Sequence, residues 1–191
     1  MKNFYPLLVT ILLSAITSTN AYAQPQKGQF INASIGLGLA APYDEADVTG
    51  DGFYAQAEYV WAPKRWFGIR PYVGVATASG ESDENGLYKS RIKSNAALLG
   101  AKVRVAAPIP YVAPFIEAGV GMSLGSFETR TQFTDIEKSG VVMHIPFSLG
   151  LAIGRRHNYE IKFTYYNHEA VKQYSGAAAL GFSFPIGTDE K

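Results

Sequence analysis

The chain has 191 residues, a size that suits a single domain with a sizeable buried core. Only 17% of its residues are charged, 13% are aromatic, and the formal net charge is +1. This balance lacks the clustered basic footprint of nucleic-acid-binding domains, so we expect no nucleic-acid partner. The sequence contains no Cys, which excludes disulfide bonds and thiol catalysis.

The first 23 residues have the pattern of an export signal. Lys2 precedes a short apolar core from Leu7 to Ile16, and "AYA" at 21–23 fits a cleavage site. That core is shorter than the ~20 apolar residues of a membrane-spanning helix. We therefore predict a cleaved signal peptide over 1–23 and one domain over 24–191.

Eight segments of the mature chain alternate bulky apolar residues with small or polar ones, as strands do. Their lengths of about nine to eleven residues suit tilted strands that cross a bilayer. Short connections are expected at 62–68, 106–111 and 155–158, and longer polar loops at 40–52, 79–90, 125–140 and 169–175. The segments are "INASIGLGLA", "FYAQAEYVW", "IRPYVGVAT", "NAALLGAKVRV", "APFIEAGVGMSL", "HIPFSLGLAIG", "YEIKFTYYNH" and "GAAALGFSF".

Two barrels fit this pattern. A soluble, lipocalin-like barrel buries its apolar side chains around a ligand, whereas a membrane barrel turns them outward to lipid. In each segment, the positions between the bulky apolar residues form the second parity. They are mostly Gly, Ala and Ser, which suit the narrow interior of an eight-stranded barrel better than a water-facing surface.

Long charged residues on that second parity nearly balance, as enclosed charges must. We therefore predict a charge network in the lumen, which two histidines of the same parity join. Its members are Glu58, Arg70, Lys102, Arg104, Glu117, His144, Glu160, Lys162 and His168.

Aromatic residues concentrate near both ends of the segments, as in the two interfacial belts of membrane barrels. The belt at the short connections contains Trp61, Trp66, Tyr111, Tyr159 and Phe184. The belt at the longer loops contains Phe53, Tyr88, Phe127, Tyr165 and Tyr174. Together with the small second parity, these belts favour the membrane barrel.

The chain resembles the small OmpA/OmpX-type outer-membrane β-barrel family. The resemblance covers nearly all of the mature chain and rests on the leader, the eight segments, "RPYVGVA" (70–76), "APFIEAGVGMS" (113–123) and "LGFSF" (180–184). It implies an all-β, eight-stranded, antiparallel up-and-down transmembrane barrel. Family members usually end on the aromatic residue of the last strand, whereas here "PIGTDEK" follows Phe184.

Residues 159–176 are weakly similar to the active-site strand of outer-membrane lipid A deacylases. As the resemblance implies, those enzymes use an H-x-S motif in which His activates Ser. Here His168-Glu169-Ala170 lacks the Ser, and Ser175 lies beyond the loop. We predict no catalytic residues, and a lipid A-modifying esterase remains an alternative.

Acidic segments at 44–52 and 81–86 lack the D-x-D-x-D-G spacing of a calcium loop and are interpreted as turns. We expect no metal and no cofactor. Basic residues scattered near the outer rim could instead contact lipopolysaccharide phosphates, which Lys and Arg bind well. They are Lys89, Arg91, Lys93, Arg130, Lys138 and Lys172.

These patterns predict a non-enzymatic barrel in the outer membrane of a Gram-negative bacterium, monomeric and surrounded by lipid and lipopolysaccharide. By resemblance, its four extracellular loops serve envelope integrity, adhesion to a host or surface, or resistance to host defence. The soluble periplasmic ligand-binding barrel is the second alternative. It requires Ile145, Leu149 and Leu151 to point inward and Glu117 and Lys162 to face water.

Overall fold

Eight antiparallel strands, each paired with its neighbours in chain order, close into a barrel when β8 pairs with β1. The computed structural model describes residues 25–44, 48–84 and 88–187; the predicted signal peptide lies outside them. The strands are β1 (Gly28–Pro42), β2 (Gly50–Lys64), β3 (Phe67–Glu84), β4 (Tyr88–Ala106), β5 (Val112–Arg130), β6 (Asp135–Ile153), β7 (Tyr159–His168) and β8 (Gln173–Gly187). The predicted fold class is confirmed.

The two ends of the barrel differ in their connections. At the short-turn end, residues 65–66, 107–111 and 154–158 join β2 to β3, β4 to β5 and β6 to β7. The opposite end, called the hairpin end, carries the other four connections, of which the last is a 3₁₀ turn at Glu169–Val171. Among the described residues, no helix is long and apolar enough to span a bilayer.

The direction of the side chains agrees with the membrane barrel. Ile145 and Leu149 of β6 are 59% and 50% exposed, whereas Glu117 and Lys162 are 1% and 0% exposed. A soluble barrel requires the reverse arrangement, so the lipocalin-like alternative is wrong. The outward apolar run of β6, from Val141 to Ile153, spans about 30 Å for strands of the usual rise and tilt.

The strands are longer than predicted at the hairpin end. Residues 79–84, 88–90, 125–130 and 135–140 continue the ladders and do not form loops. Here the outward face turns polar while apolar residues appear on the inward face. On β4, Ile92 is buried between exposed Arg91 and Lys93, and on β3, Ala78 is buried between exposed Thr77 and Ser79. The hydrophobic phase therefore inverts along β3 and β4. A sequence prediction that expects apolar residues at the same alternating positions throughout therefore ends these strands too early.

Register places this change along one line of paired residues. Thr77, Asn95, Ser126 and Ser139 face one another in turn across β3 to β6. Between this line and the short-turn end, which we call below the line, the outward side chains are apolar. Between the line and the hairpin end, which we call above it, they are charged or small. The parts of β3 to β6 above the line are called the outer hairpins.

Phe127 corrects the predicted belt at this end. It lies on the inward parity of β5 and is 1% exposed, packed at 5.2 Å between ring centroids against His168. The parity that encloses Ser123 also encloses Phe127, so it cannot meet lipid. Phe53 and Tyr165 are exposed as a belt requires, whereas the side chain of Tyr88 lies outside the described residues.

Candidate functional site

Seven charged side chains meet in the half of the lumen nearer the short-turn end. We call them the ionic cluster: Glu58, Arg70, Lys102, Arg104, Glu117, Glu160 and Lys162. They come from β2, β3, β4, β5 and β7 and share the inward parity, so barrel closure brings strands distant in sequence together. Each member is at most 9% exposed.

Glu58 is the centre of this cluster. Its Oε2 accepts from Arg70 Nε at 2.5 Å, and its Oε1 accepts from Lys102 Nζ at 3.0 Å and Lys162 Nζ at 2.5 Å. Gln56 Nε2 also donates to Oε1 at 2.6 Å. Four donors therefore satisfy one enclosed carboxylate, as burial of a charge requires.

The other two carboxylates hold Arg104 and tie the cluster together. Arg104 donates to Glu160 through both terminal nitrogens, at 2.7 and 2.9 Å, and through Nε to Glu117 at 2.7 Å. Lys102 Nζ reaches Glu117 at 2.7 Å. The Arg104 guanidinium also lies 3.5 Å from the centroid of the Phe115 ring, a favourable cation–π position.

The charges of the cluster do not cancel completely. Four cations, Arg70, Lys102, Arg104 and Lys162, meet three carboxylates, so one positive charge is in excess. The formal charges of these seven side chains therefore differ from balance by one. A buried excess charge is costly unless solvent or an anion compensates it.

The two histidines lie apart from the ionic cluster, toward the hairpin end. Ser123 Oγ lies 2.8 Å from His144 Nδ1 and 2.8 Å from His168 Nε2, and the Tyr72 hydroxyl lies 2.6 Å from His144 Nε2. Tyr54 and Tyr166 adjoin them with hydroxyls 3.2 Å apart. We call these residues and Gln56 the tyrosine–histidine cluster.

Gln56 links the two clusters. Its Oε1 accepts from the Tyr166 hydroxyl at 2.8 Å, while its Nε2 donates to Glu58. Sequence reasoning missed Gln56, Tyr72 and Ser123 as members of the lumen network. The alternation of the strands indicates that these side chains point inward. It does not indicate which residues of other strands they contact across the lumen.

Two glycines make room for the contact between Tyr72 and His144. A Cβ built on Gly100 would lie 2.5 Å from the Tyr72 hydroxyl, and one built on Gly121 would lie 2.5 Å from His144 Nε2. Both separations are far below ordinary van der Waals contact. The nearly empty inward face of these strands therefore holds large side chains that reach across from other strands.

The hydroxyl of Ser123 between two imidazoles has the reach of a nucleophile and its base. Ser123 is 0% exposed, however, and packs inside the barrel, whereas the acyl chains of a lipid lie outside. His168 also points inward, and its register partner on β8 is Gln173, not a serine. The arrangement is therefore that of a packed polar core.

Among the described residues, no three His, Cys, Asp or Glu side chains come together as a metal site requires. The acidic segment at 44–52 is described at 44 and 48–52, and the one at 81–86 is described at 81–84. The remaining positions of both segments lie outside the described part of the chain.

The outer hairpins carry five of the six basic residues predicted to contact lipopolysaccharide, all of them exposed. Lys89, Arg91 and Lys93 follow one another on β4, and Arg91 lies directly opposite Arg130 of β5. Lys138 is on the next strand, β6, opposite Phe127. Lys172 is separate from this group, in the turn before β8, where its carbonyl accepts from Tyr43 N at 3.0 Å.

Acidic residues are interspersed with these bases. Arg91 Nη2 contacts Glu81 Oε1 at 2.6 Å, and Arg130 Nε donates to Asp135 Oδ1 at 3.2 Å. The hydrogen bond from its guanidinium to Asp135 raises the pKa of Arg130 above its ordinary value, and an arginine is charged at physiological pH in either case. The outer hairpins therefore present mixed charge, with one pair of arginines side by side.

A closed barrel with an apolar outer face and enclosed, hydrogen-bonded ions is a small transmembrane β-barrel. Solved structures of this fold are similar to the chain. Neisserial surface protein A superimposes with a TM-score of 0.56 at 11% identity, covering 84% of this chain and 98% of that one. The outer membrane protein OprG from Pseudomonas aeruginosa gives 0.52 at 12% identity, covering 85% and 98%.

Ail, the attachment invasion locus protein of Yersinia pestis, gives a TM-score of 0.47 at 17% identity, covering 83% of this chain and 100% of that one. No family model and no curated protein matches the chain. At 11% and 12% identity, the likeness to Neisserial surface protein A and OprG shows the fold alone.

Proposed function

We propose that this chain is a non-enzymatic, monomeric protein of the bacterial outer membrane, exported with removal of residues 1–23. The sidedness of the barrel supports this most directly. A water-soluble protein does not expose a continuous apolar surface on every strand, whereas a bilayer about 30 Å thick covers such a band. In this orientation the short-turn end faces the periplasm and the outer hairpins extend outside the cell.

The outer hairpins then bind the phosphate groups of lipopolysaccharide. Arg91 and Arg130 lie opposite each other, and like charges in that position repel. Glu81 and Asp135 relieve this repulsion partly, each from one side. A phosphate placed between the two guanidiniums accepts hydrogen bonds from both and removes the repulsion. Lys89, Lys93 and Lys138 supply further cations on the outer hairpins, and Lys172 adds one in the turn before β8.

Anchored in this way, the barrel presents its hairpin end as the surface available to host or other surface ligands. The roles that follow are envelope integrity, adhesion and resistance to host defence. A deletion strain tested for detergent sensitivity, attachment to cells and survival in serum separates these three roles. No change in any of the three would contradict them.

Localisation is tested by cell fractionation. The protein should sediment with the outer membrane and migrate faster on a gel before boiling than after, because a closed barrel resists detergent until heated. Recovery from the soluble periplasmic fraction would overturn the proposal. Mass spectrometry of the mature protein should place its N-terminus at Gln24.

Lipopolysaccharide binding is tested with the variants Arg91→Ala and Lys93→Ala. Each should weaken affinity about five- to tenfold, as expected for the loss of one charge-assisted contact. Lys27→Ala, which removes an exposed cation at the opposite end, is the matched control and should bind like the parent. If all three variants bind lipopolysaccharide with the affinity of the parent, the outer hairpins are not the binding site and the proposal is wrong.

The absence of catalysis is tested by incubating the purified protein with lipid A and then measuring the mass of the lipid by mass spectrometry. All acyl chains should remain. Loss of a chain that disappears in His168→Ala would identify an esterase and overturn the proposal.

A further inference from the structure

The short-turn end of the barrel opens into a cavity of about 80 Å³. Five cationic side chains line it: Lys64, Arg65, Arg70, Arg104 and Arg156. Glu160 also lines it. Arg70 and Arg104 form its inner wall because they belong to the ionic cluster, whereas Lys64 and Arg156 are exposed at its rim. The volume is several times what one water molecule requires.

The carboxylate in this cavity is already compensated. Glu160 Oε1 accepts from Arg104 Nη1 at 2.7 Å and Arg70 Nη1 at 3.2 Å, and Oε2 accepts from Arg104 Nη2 at 2.9 Å. It therefore does little to repel a second anion. The ionic cluster behind it carries one formal positive charge in excess, which adds to the field in the cavity.

The three short turns at this end of the barrel reinforce this field. The turns at 65–66, 107–111 and 154–158 contain no Asp or Glu, but they do contain Arg65, Arg155 and Arg156. A concave site in which charges of one sign predominate concentrates counter-ions. Asn158 and Ser183 line the same cavity and add neutral hydrogen-bonding groups.

We propose that this cavity binds a phosphate-type oxyanion, supplied either as free phosphate or as the headgroup of a phospholipid in the adjoining leaflet. Guanidinium groups recognise such oxyanions through paired hydrogen bonds. The exposed Trp66 lines the same cavity, where its indole ring suits the membrane interface at which headgroups lie. The site lies at the opposite end from the outer hairpins and does not depend on their role.

The two sources are separated by two measurements on the full chain. Calorimetric titration with inorganic phosphate, in nanodiscs of phosphatidylcholine, detects the free anion. Native mass spectrometry after release from nanodiscs of mixed phosphatidylglycerol and phosphatidylcholine detects a retained lipid. Binding of one phosphate, or selective retention of phosphatidylglycerol, supports the proposal and identifies the source.

Adjacent arginines provide matched variants, since Arg156 lines the cavity and Arg155 does not. Arg156→Gln should weaken phosphate binding, or the preference for phosphatidylglycerol, about tenfold. Arg155→Gln removes the same charge one residue away and should leave either signal unchanged. Unaltered heat-modifiable migration verifies that both variants fold.

Equal losses in the two variants would mean diffuse attraction to a basic end and would overturn the site. The absence of both phosphate binding and lipid preference in the parent would also overturn it. Lipopolysaccharide binding by the outer hairpins is measured with other variants, so failure of either proposal is recognised separately.

Discussion

The two halves of the lumen satisfy their buried polar groups by different means. In the half near the short-turn end, the ionic cluster joins three carboxylates to four cations. In the other half, the tyrosine–histidine cluster uses hydroxyls, imidazoles and an amide, all of which can be neutral. Both halves lie inside one apolar belt, so the surrounding lipid does not account for the difference.

Their tolerance to change should differ accordingly. A charge deprived of its partner within a low-dielectric interior keeps its full desolvation cost, whereas a neutral group deprived of its partner loses one or two hydrogen bonds. The contacts of the ionic cluster also converge on Glu58, whereas those of the tyrosine–histidine cluster link one residue to the next. A single substitution therefore affects more partners in the ionic half.

The largest expected effect is that of Glu58→Ala. It leaves Arg70, Lys102 and Lys162 short of an acceptor and should lower the free energy of unfolding by about 3–5 kcal/mol. Urea unfolding in lipid vesicles, followed by tryptophan fluorescence, measures this. Glu81→Ala, which breaks an exposed pair with Arg91, is the control and should change stability by no more than about 0.5 kcal/mol.

A second variant tests whether charge is the cause. Combining Glu58→Ala with Lys162→Met removes one cation together with its acceptor, so the double variant should be more stable than Glu58→Ala alone. If the two losses simply add, the comparison between an ionic and a neutral half fails, because the cost would then reflect lost packing.

A smaller effect is expected for Ser123→Ala in the neutral half. The Ser123 hydroxyl has one hydrogen, so it donates to one imidazole and accepts from the other. Removing it leaves a ring nitrogen of His144 and one of His168 without this partner, at a cost of about 1–3 kcal/mol. The same urea unfolding measures it. A loss as large as that of Glu58→Ala would remove the distinction between the two halves.

Much of the fold follows from the sequence because one periodicity reports which way each side chain points. The outward direction of Ile145 and Leu149 could be predicted, since the small residues between them suit a narrow interior. The same parity indicates that Glu117 and Lys162 lie inside. A strand alternates its faces whatever its partners are, so this inference needs no tertiary information.

Two features could not be predicted in this way, for different physical reasons. The sequence of the outer hairpins predicts loops because the apolar side chains change faces near Thr77 and Asn95, where the environment outside changes from lipid to water. The contact between Tyr72 and His144 joins β3 to β6 across the lumen. Such contacts depend on barrel closure and on the space above Gly100 and Gly121, which no local pattern reports.

The smallest effect is expected for Tyr54→Phe, which removes the 3.2 Å contact between its hydroxyl and that of Tyr166. Tyr166 keeps its bond to Gln56, so the loss should be about 0.5–1.5 kcal/mol. Combined with Glu58→Ala, the two losses should add to within about 0.5 kcal/mol, as for independent sites. A larger coupling, measured by the same unfolding in a double-mutant cycle, would mean that Gln56 transmits the loss of Glu58 into the neutral half. The lumen would then behave as one cooperative network and not as two.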